Sequence, residues 1–246
     1  MSDGTLSLQI EPVAYIRTDF SDKFGIPRQS GLVPELTGTV VLEPAYSQPD
    51  AVRGLEQFSH IWLIWGFHAA VRQAEKGWSA TVRPPRLGGN TRVGVFASRA
   101  PFRPNPLGLS CVRLEAVLTD EQPVRLLVSG IDLLDGTPIY DIKPYIPVAD
   151  CKPDAAEGYT AETRQHLLDV DFPAELLGLL PADKQQAATA LLAQDPRPGY
   201  ADDPERIYGV GFAGFDLRFC ADGRTLRVCS VRDADGKEYF VHGETV

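Results

Sequence analysis

Cysteine is scarce in this chain, and its positions match no known site. The four cysteines among 246 residues are Cys111, Cys151, Cys220 and Cys229, and they include no C-x-x-C pair. Their spacing fits no zinc pattern, so we expect reduced thiols and no bound metal. The chain also lacks an apolar run of membrane-spanning length and a basic, apolar leader. We therefore expect a cytoplasmic protein with no membrane segment.

Several catalytic and nucleotide-binding motifs are missing as well. The sequence contains no Walker A motif, no G-x-S-x-G and no H-E-x-x-H. Residues 209–214 read GVGFAG, which fits G-x-G-x-x-G literally. The residues that follow, FDLRFCADG, alternate like a strand and end in a turn, whereas a dinucleotide fingerprint must open a helix. We therefore exclude a dinucleotide site here.

Glycine and proline are abundant, with 22 and 20 residues, which is typical of many turns and short strands. Long helical periods are missing up to residue 150. Apolar, β-prone runs predict strands at residues 6–16, 37–43, 55–68, 109–118, 124–134 and 137–146. This pattern predicts a mainly β fold, a small antiparallel β-barrel over residues 1–150, rather than a βαβ array.

The chain changes character after residue 150. Residues 151–165 are polar and indicate a linker. Residues 166–246 then predict a smaller α+β domain. Its helices are expected at 173–180 and 182–194, and its strands at 206–220, 225–232 and 238–242.

One basic segment contrasts with the acidic whole. The chain has a formal net charge of −9, yet residues 83–114 contain no Asp or Glu. Arginine on glycine- and proline-rich loops can grip phosphate or carboxylate through its planar donors. The alternative, a surface loop whose arginines pair with carboxylates elsewhere, stays open at this point. The arginines are Arg83, Arg86, Arg92, Arg99, Arg103 and Arg113.

Two further features could face a small molecule. The turn 132–138 carries two carboxylates, Asp132 and Asp135. They could bind a ribose diol or an amine, or they could cap their own backbone, as Asp commonly does at turns. Asn105 stands between two prolines that fix its backbone. Its amide could pair with a base edge, or the segment could be an ordinary Asn-Pro turn.

Four segments together resemble the TsaA-like family, and in particular its bacterial TrmO-type tRNA adenine-N6 methyltransferases. They are PRQSG (27–31), VRPPRLGGNTRVGVFASRAPFRPNPLGLS (82–110), GIDLLDGTPIYDIKPYIP (130–147) and AQDPRPGY (193–200). The resemblance implies use of S-adenosyl-L-methionine to methylate N6 of threonylcarbamoyladenosine at position 37, in the anticodon loop of tRNA. It also implies a non-Rossmann β-barrel, a homodimer with the donor site near the subunit interface, and a C-terminal domain.

The resemblance further implies a set of donor-binding positions: Pro27, Arg28, Gln29, His68, Ala69, Arg99, Leu109 and the turn of Asp132, Leu133, Leu134, Asp135 and Gly136. A sulfonium donor is already activated, so the protein must orient the amine and accept a proton without a metal. Our candidates for that task are Asp135, Asn105, Asp141 and Tyr145. Arginine would hold the RNA backbone, with Arg83, Arg86, Arg92 and Arg103 as the candidates.

Two alternatives remain at this point. The chain could be a non-catalytic RNA-binding module that keeps the basic loops. It could also be another nucleotide-using enzyme built on the same barrel.

Overall fold

The computed structural model describes residues 8–68, 78–84, 87, 90–161, 167–197 and 203–241. Two predicted site residues, Ala69 and Arg86, lie outside these ranges. Within them, no helix is long and apolar enough to cross a membrane.

The N-terminal part is a closed, six-stranded antiparallel barrel, which confirms the predicted fold class. Neighbouring strands around the barrel follow the order β1-β2-β7-β6-β3-β8, and β8 pairs with β1 to close it. Closure leaves no free sheet edge, so every barrel strand has a partner on both sides. The barrel strands are β1 (Ala14–Thr18), β2 (Thr37–Leu42), β3 (His60–Gly66), β6 (Leu107–Leu118), β7 (Arg125–Ser129) and β8 (Pro138–Pro144).

Strand β3 shows why these residues form a barrel. Ile61 and Leu63 are fully buried, while His60, Trp62 and Ile64 are only partly buried. This period of two places one face in the core. Burying each large apolar side chain contributes about 1.5–3 kcal/mol.

Among the barrel strands that are shorter than predicted, two are limited by a glycine. The strand predicted over 55–68 begins only at His60, because Gly54 takes a left-handed conformation (φ 87°) and opens a 3-10 turn at Leu55–Gln57. The strand predicted over 124–134 ends at Ser129, because Gly130 has φ 71°. Such values are costly for residues with a Cβ. After Gly130 the chain leaves β7 and enters the turn that carries Asp132 and Asp135.

A two-stranded hairpin includes the beginning of the arginine-rich segment, residues 83–114. Strand β4 (Thr81–Val82) pairs with β5 (Val93–Gly94), and a 3-10 turn, Val95–Ala97, follows at once. The described residues of this hairpin and turn therefore form a structure outside the six barrel strands, whereas the last residues of the segment, from Leu107 on, belong to β6.

The C-terminal part is α+β, as predicted. A short helix α1 (Pro147–Asp150) follows the barrel. The next two are α2 (Ala174–Leu177) and α3 (Ala182–Ala193). The strands form one sheet: β9 (Asp169–Asp171), β10 (Tyr208–Phe212), β11 (Phe215–Asp222), β12 (Thr225–Arg232) and β13 (Glu238–Phe240).

The glycine-rich segment 209–214 lies in strand β10 and the turn that follows it. Phe212 pairs with Phe215, so Ala213 and Gly214 form a two-residue turn, with φ of 52° and 82°. Positive φ at both central residues is typical of a tight β-hairpin. No helix opens here, in agreement with the exclusion of a dinucleotide site.

The barrel and the C-terminal part share one continuous apolar core. The rings of Phe20 and Phe212 lie 5.6 Å apart, and both side chains are buried. Lys184 Nζ donates to Asp19 Oδ2 at 2.6 Å across the same contact. The boundaries 1–150, 151–165 and 166–246 stay a prediction, and the shared core leads us to expect that both parts unfold together.

Candidate functional site

A cavity of about 570 Å³ opens at the end of β3 and the beginning of β6. Most of the predicted donor-binding residues meet there, although they come from four separate segments of the chain. The predicted residues that line the cavity are Pro27, Arg28, Gln29, His68, Arg99, Leu109, Asp132 and Leu134.

The other described residues of the predicted donor-binding set do not line the cavity. Leu133 is 1% exposed and belongs to the barrel core. Gly136 donates its backbone N–H to the carbonyl of Ile16 at 2.8 Å, on the side of β1. Neither residue is among those that line the cavity.

Asp135 is bound to the end of β1. Its Oδ1 accepts the backbone N–H of Thr18 at 2.9 Å, and its Oδ2 lies 3.4 Å from Arg17 Nη1. Its own N–H donates to the carbonyl of Phe20 at 2.9 Å. The carboxylate therefore closes a turn, and it is not among the residues that line the cavity.

Asp132, three residues earlier, does face the cavity, and a hydrogen-bond relay holds it. Trp65 Nε1 donates to Ser110 Oγ at 2.9 Å, and Ser110 Oγ donates to Asp132 Oδ1 at 2.6 Å. Ser110 is fully buried. The protein thus holds this carboxylate through the Ser110 hydroxyl and through backbone hydrogen bonds from Ser30 and from Asp132 itself, while the side chain lines the cavity.

Close backbone packing makes this relay possible. Gly108 on β6 lies opposite Trp65 on β3. A Cβ on Gly108 would lie 2.3 Å from Cε2 of the Trp65 ring, so the indole can lie over the strand only where a side chain is absent. We did not predict Trp65, Gly108 or Ser110 as site residues from the sequence. The available signal was a serine at an inward position of β6, in line with buried Val112 and Leu114.

The electrostatics of Asp132 follow from its position. Burial raises the pKa of Asp132 to about 6, against the opposing effect of the Ser110 hydrogen bond and, more weakly, of the Arg99 charge. Asp132 is the only carboxylate among the described residues that line the cavity. It titrates close to neutral pH, and above about pH 6 it offers a negative charge within basic surroundings.

The rest of the lining is basic and apolar. Its cationic or titratable basic residues are Lys23, Arg28, His68, Arg99 and Arg103, and its large apolar residues include Trp65, Phe67, Phe102, Leu107 and Leu134. The Arg99 guanidinium contacts the side-chain oxygen of Gln29. This combination suits a ligand with a flat apolar portion and an anionic group.

The predicted RNA-binding arginines take different positions. Arg83 and Arg92 are exposed at the loop end of the β4–β5 hairpin, directly after β4 and before β5, and Arg92 Nη1 donates to Thr81 Oγ1 at 2.9 Å. Arg103 lines the cavity and donates to the carbonyl of Ser98 at 2.6 Å.

The ion pairs of the arginines test whether the basic segment is a surface loop whose arginines pair with carboxylates elsewhere in the protein. Within the described ranges, Arg113 pairs with Glu115 at 3.2 Å. No such ion pair to a described carboxylate is found for Arg83, Arg92, Arg99 or Arg103. The loop arginines are therefore available to an anionic partner, which favours the binding interpretation.

The candidates for orienting the amine are not brought together. Asp141 pairs with Lys143 at 2.8 Å, and it lies opposite Ile64 of β3. Tyr145 packs on Trp62, with ring centres 5.8 Å apart. Trp62 is five residues from the cavity residue Phe67, or about 16 Å at ~3.3 Å per residue.

Asn105 lies on the loop before β6, close in sequence to residues of the cavity. It is exposed, and its loop contains the cavity residues Phe102 and Arg103 and leads into Leu107, the first residue of β6. Its carbonyl accepts the N–H of Leu107 at 2.8 Å. Among the residues that the structure describes, no group of three or more His, Cys, Asp or Glu side chains is placed to hold a metal ion.

Two family profiles match this chain. The profile described as the tRNA-methyltransferase O N-terminal domain matches residues 15–151, and the TrmO C-terminal domain profile matches residues 165–234. Together they span the barrel, the cavity and most of the C-terminal part.

Curated relatives agree with these profiles. The tRNA (adenine(37)-N6)-methyltransferase of Escherichia coli K12 is 45% identical over 221 residues, covering 87% of this chain and 93% of that protein. A putative S-adenosylmethionine-dependent methyltransferase, RcsF, of Pseudomonas aeruginosa PAO1 is 43% identical over 218 residues, covering 85% of this chain and 91% of that protein.

Solved structures give the same result. A crystal structure of TrmO superimposes with a TM-score of 0.75 at 37% identity, covering 92% of this chain and 99% of that one. A second, of TrmO from P. aeruginosa, gives a TM-score of 0.76 at 35% identity, covering 94% of this chain and 100% of that one.

Proposed function

Because this chain belongs to the TrmO family of tRNA (adenine-N6)-methyltransferases, we propose that it transfers a methyl group from S-adenosylmethionine to N6 of adenine 37 in tRNA. The observation that carries the assignment is the cavity, where one buried carboxylate faces a basic, partly aromatic lining within residues matched by the family. Neither a non-catalytic RNA-binding module nor another nucleotide-using enzyme is favoured by the relatives.

The residues of the cavity fit the donor. Its volume of about 570 Å³ lies in the range of small-molecule sites. The aromatic and aliphatic lining suits a purine, a guanidinium such as that of Arg99 suits the donor's carboxylate, and Asp132 suits its hydroxyl or ammonium groups. Bound there, the donor would supply a methyl group on a positively charged sulfur.

The protein's own residues would bind and orient the substrates. We assign Asp132 to binding of the donor. Ser110 and Trp65 hold the Asp132 carboxylate in place. Asn105 is our first candidate for orienting the adenine, because its loop also contributes Phe102 and Arg103 to the cavity. Asp135, Asp141 and Tyr145 remain weaker candidates, because their recorded contacts lie away from the cavity.

A second proposal concerns the chemical modification that the substrate adenine already carries. We propose that N6 already carries a threonylcarbamoyl group, whose carboxylate would bind a guanidinium of the cavity rim. Bases of an anticodon loop are unstacked, so one can be presented to a pocket. The arginines without described acidic partners, Arg83, Arg92 and Arg103, would hold the phosphates around it.

We further propose that the protein is a cytoplasmic homodimer. The resemblance places the donor site of such dimers near the subunit interface. Leu107 and Leu109, at the edge of the cavity, are 38% and 49% exposed, in support of a further contact there. Cytoplasmic placement follows from the proposed substrate, tRNA. Analytical ultracentrifugation tests the dimer, and a monomer at micromolar concentration would contradict it.

One assay tests the reaction directly. The protein is incubated with S-adenosylmethionine and bulk tRNA from cells that lack it, and the nucleosides are then analysed by mass. We expect threonylcarbamoyladenosine to be replaced by its N-methylated form. RNA binding without any methylated nucleoside would instead favour a non-catalytic module.

Changing Ser110 to Ala tests the relay by the pH dependence of donor binding. Donor binding is expected to need ionised Asp132, so in the wild type it weakens as pH falls through about 6. The Ser110 hydrogen bond lowers the pKa of Asp132. Loss of this hydrogen bond should therefore raise the pH midpoint of donor binding by roughly one unit. A shift of this size corresponds to the free energy of about one hydrogen bond to a charged group. Calorimetric titration between pH 5 and pH 8 measures the shift.

A matched control is Ser129→Ala. Ser129 is also a buried serine that donates to a carboxylate, that of Glu115, and it does not line the cavity. Its removal should leave the midpoint of donor binding unchanged. The same midpoint in wild type and Ser110→Ala would show that the relay does not control Asp132.

A further inference from the structure

The 3-10 turn after the β4–β5 hairpin holds a phenylalanine in solvent. Phe96 is 73% exposed, although the residue before it, Val95, is 1% exposed and anchors the turn. The Val95 N–H donates to the carbonyl of Ala80 at 3.0 Å, and Ser98 Oγ donates to the carbonyl of Val95 at 2.9 Å. The ring is therefore carried by a fixed turn.

A cation lies against this ring and connects it to the cavity. The guanidinium carbon of Arg103 is 5.8 Å from the centre of the Phe96 ring. Arg103 Nη1 donates to the carbonyls of Ser98, at 2.6 Å, and Val95, at 3.4 Å, so the arginine is held by the same turn. Because Arg103 also lines the cavity, Phe96 lies directly beside its rim.

Two other exposed aromatic residues lie at the same end of the hairpin. Phe102, which lines the cavity, is 40% exposed, and Trp78 is 55% exposed. The N–H of Ser79 donates to the carbonyl of Phe102 at 3.2 Å, which brings their segments together. A single exposed apolar residue needs no explanation, but three aromatic residues beside basic side chains are typical of single-stranded nucleic-acid surfaces.

We propose that Phe96 is a stacking platform for a base next to the target adenine, with Trp78 and Phe102 flanking it. This inference rests on the proposed function, because it takes RNA as the partner. The distribution of charge supports that partner. Arg103 adjoins the ring, while Arg83 and Arg92 are exposed at the opposite end of the hairpin, where a phosphate backbone could continue. Extrusion of one base leaves its neighbour without a stacking partner, and an exposed ring beside the cavity can replace it.

The test is binding of an anticodon stem-loop RNA to the full-length protein, measured with and without Phe96→Ala. Stacking on one aromatic ring is worth enough to predict a loss of affinity of ~10-fold to ~100-fold. Phe96→Trp should retain wild-type affinity. Phe240→Ala, which removes an exposed phenylalanine outside the cavity lining, should change nothing. Calorimetry should give the same S-adenosylmethionine affinity for all four proteins.

A second arm identifies the partner base. The stem-loop is made with an abasic site on either side of the target adenine. If Phe96 stacks on one neighbour, removal of that base and Phe96→Ala should each weaken binding, and their combination should weaken it no further. If the loss of affinity from Phe96→Ala and the loss from the abasic site are additive for both neighbouring bases, the proposal is overturned. A change of oligomeric state in Phe96→Ala would also overturn it, because the ring would then be a subunit contact. These are binding measurements, so a wild-type protein that binds the RNA without methylating it would refute the proposed function separately.

Discussion

Asp132→Asn is expected to weaken S-adenosylmethionine binding roughly 10- to 100-fold, the worth of a hydrogen bond to a charged group. The asparagine oxygen can still accept from Ser110 Oγ, which lies 2.6 Å from Asp132 Oδ1 in the wild type. The relay would then persist, while the negative charge at the cavity would be lost. Calorimetry at pH 8, where Asp132 is ionised, measures the change.

The same substitution should make the free protein more stable. Burial raises the pKa of Asp132 to about 6 in the folded chain, above its ordinary value near 4. Between these values the folded state binds more protons than the unfolded state, so the contribution of Asp132 to stability is lost as pH rises from about 4 to about 6. At pH 8 the asparagine should be more stable by about 2 kcal/mol, and at pH 4 the difference should vanish.

Asp120→Asn is the matched control, since it removes the same charge from an exposed turn that does not line the cavity. It should alter neither donor binding nor the pH dependence of stability.

Binding of 5′-methylthioadenosine, which lacks the amino-acid portion of S-adenosylmethionine, shows which part of the donor Asp132 contacts. If Asp132 binds the ribose, Asp132→Asn should also weaken the binding of 5′-methylthioadenosine. If Asp132 binds the ammonium group, the affinity of the variant for this ligand should be unchanged. Unchanged affinity for S-adenosylmethionine itself would remove Asp132 from the donor site.

Local patterns were sufficient to predict the fold class. Alternation of apolar residues in β3 and β6, together with the glycines and prolines between strands, predicts an antiparallel barrel. Strand ends were less predictable, because they depend on backbone conformations such as the left-handed Gly54 and Gly130. A sequence shows that a glycine is present, but its φ is set by the contacts around it.

The site was only partly predictable, for a different reason. Asp132 and Asp135 occupy one turn, and nothing local distinguishes the carboxylate that faces the cavity from the one that binds the Thr18 N–H. The relay depends on the register that places Trp65 opposite Gly108. Register between distant strands is a property of the assembled barrel, so spacing along the chain could not reveal it.

Arg99→Ala is expected to reduce S-adenosylmethionine affinity roughly 10- to 100-fold, through loss of a charge-assisted contact to the donor's carboxylate. Arg99 lines the cavity, and its guanidinium contacts Gln29, which lines it too. The Arg99 charge also lowers the pKa of Asp132. The midpoint of donor binding against pH should therefore move upward in this variant, by less than in Ser110→Ala, because the hydrogen bond has the larger effect on that pKa.

The two effects of Arg99 can be separated with the shortened ligand. At pH 8, where Asp132 is ionised in either protein, Arg99→Ala should bind 5′-methylthioadenosine as tightly as the wild type does, since that ligand has no carboxylate. Arg113→Ala removes the same charge from a residue that pairs with Glu115 and does not line the cavity, so it should bind both ligands normally. Equal losses for the two ligands would instead place Arg99 against the nucleoside. The carboxylate of the donor would then require another partner, and the other basic residues of the lining are Lys23, Arg28, His68 and Arg103.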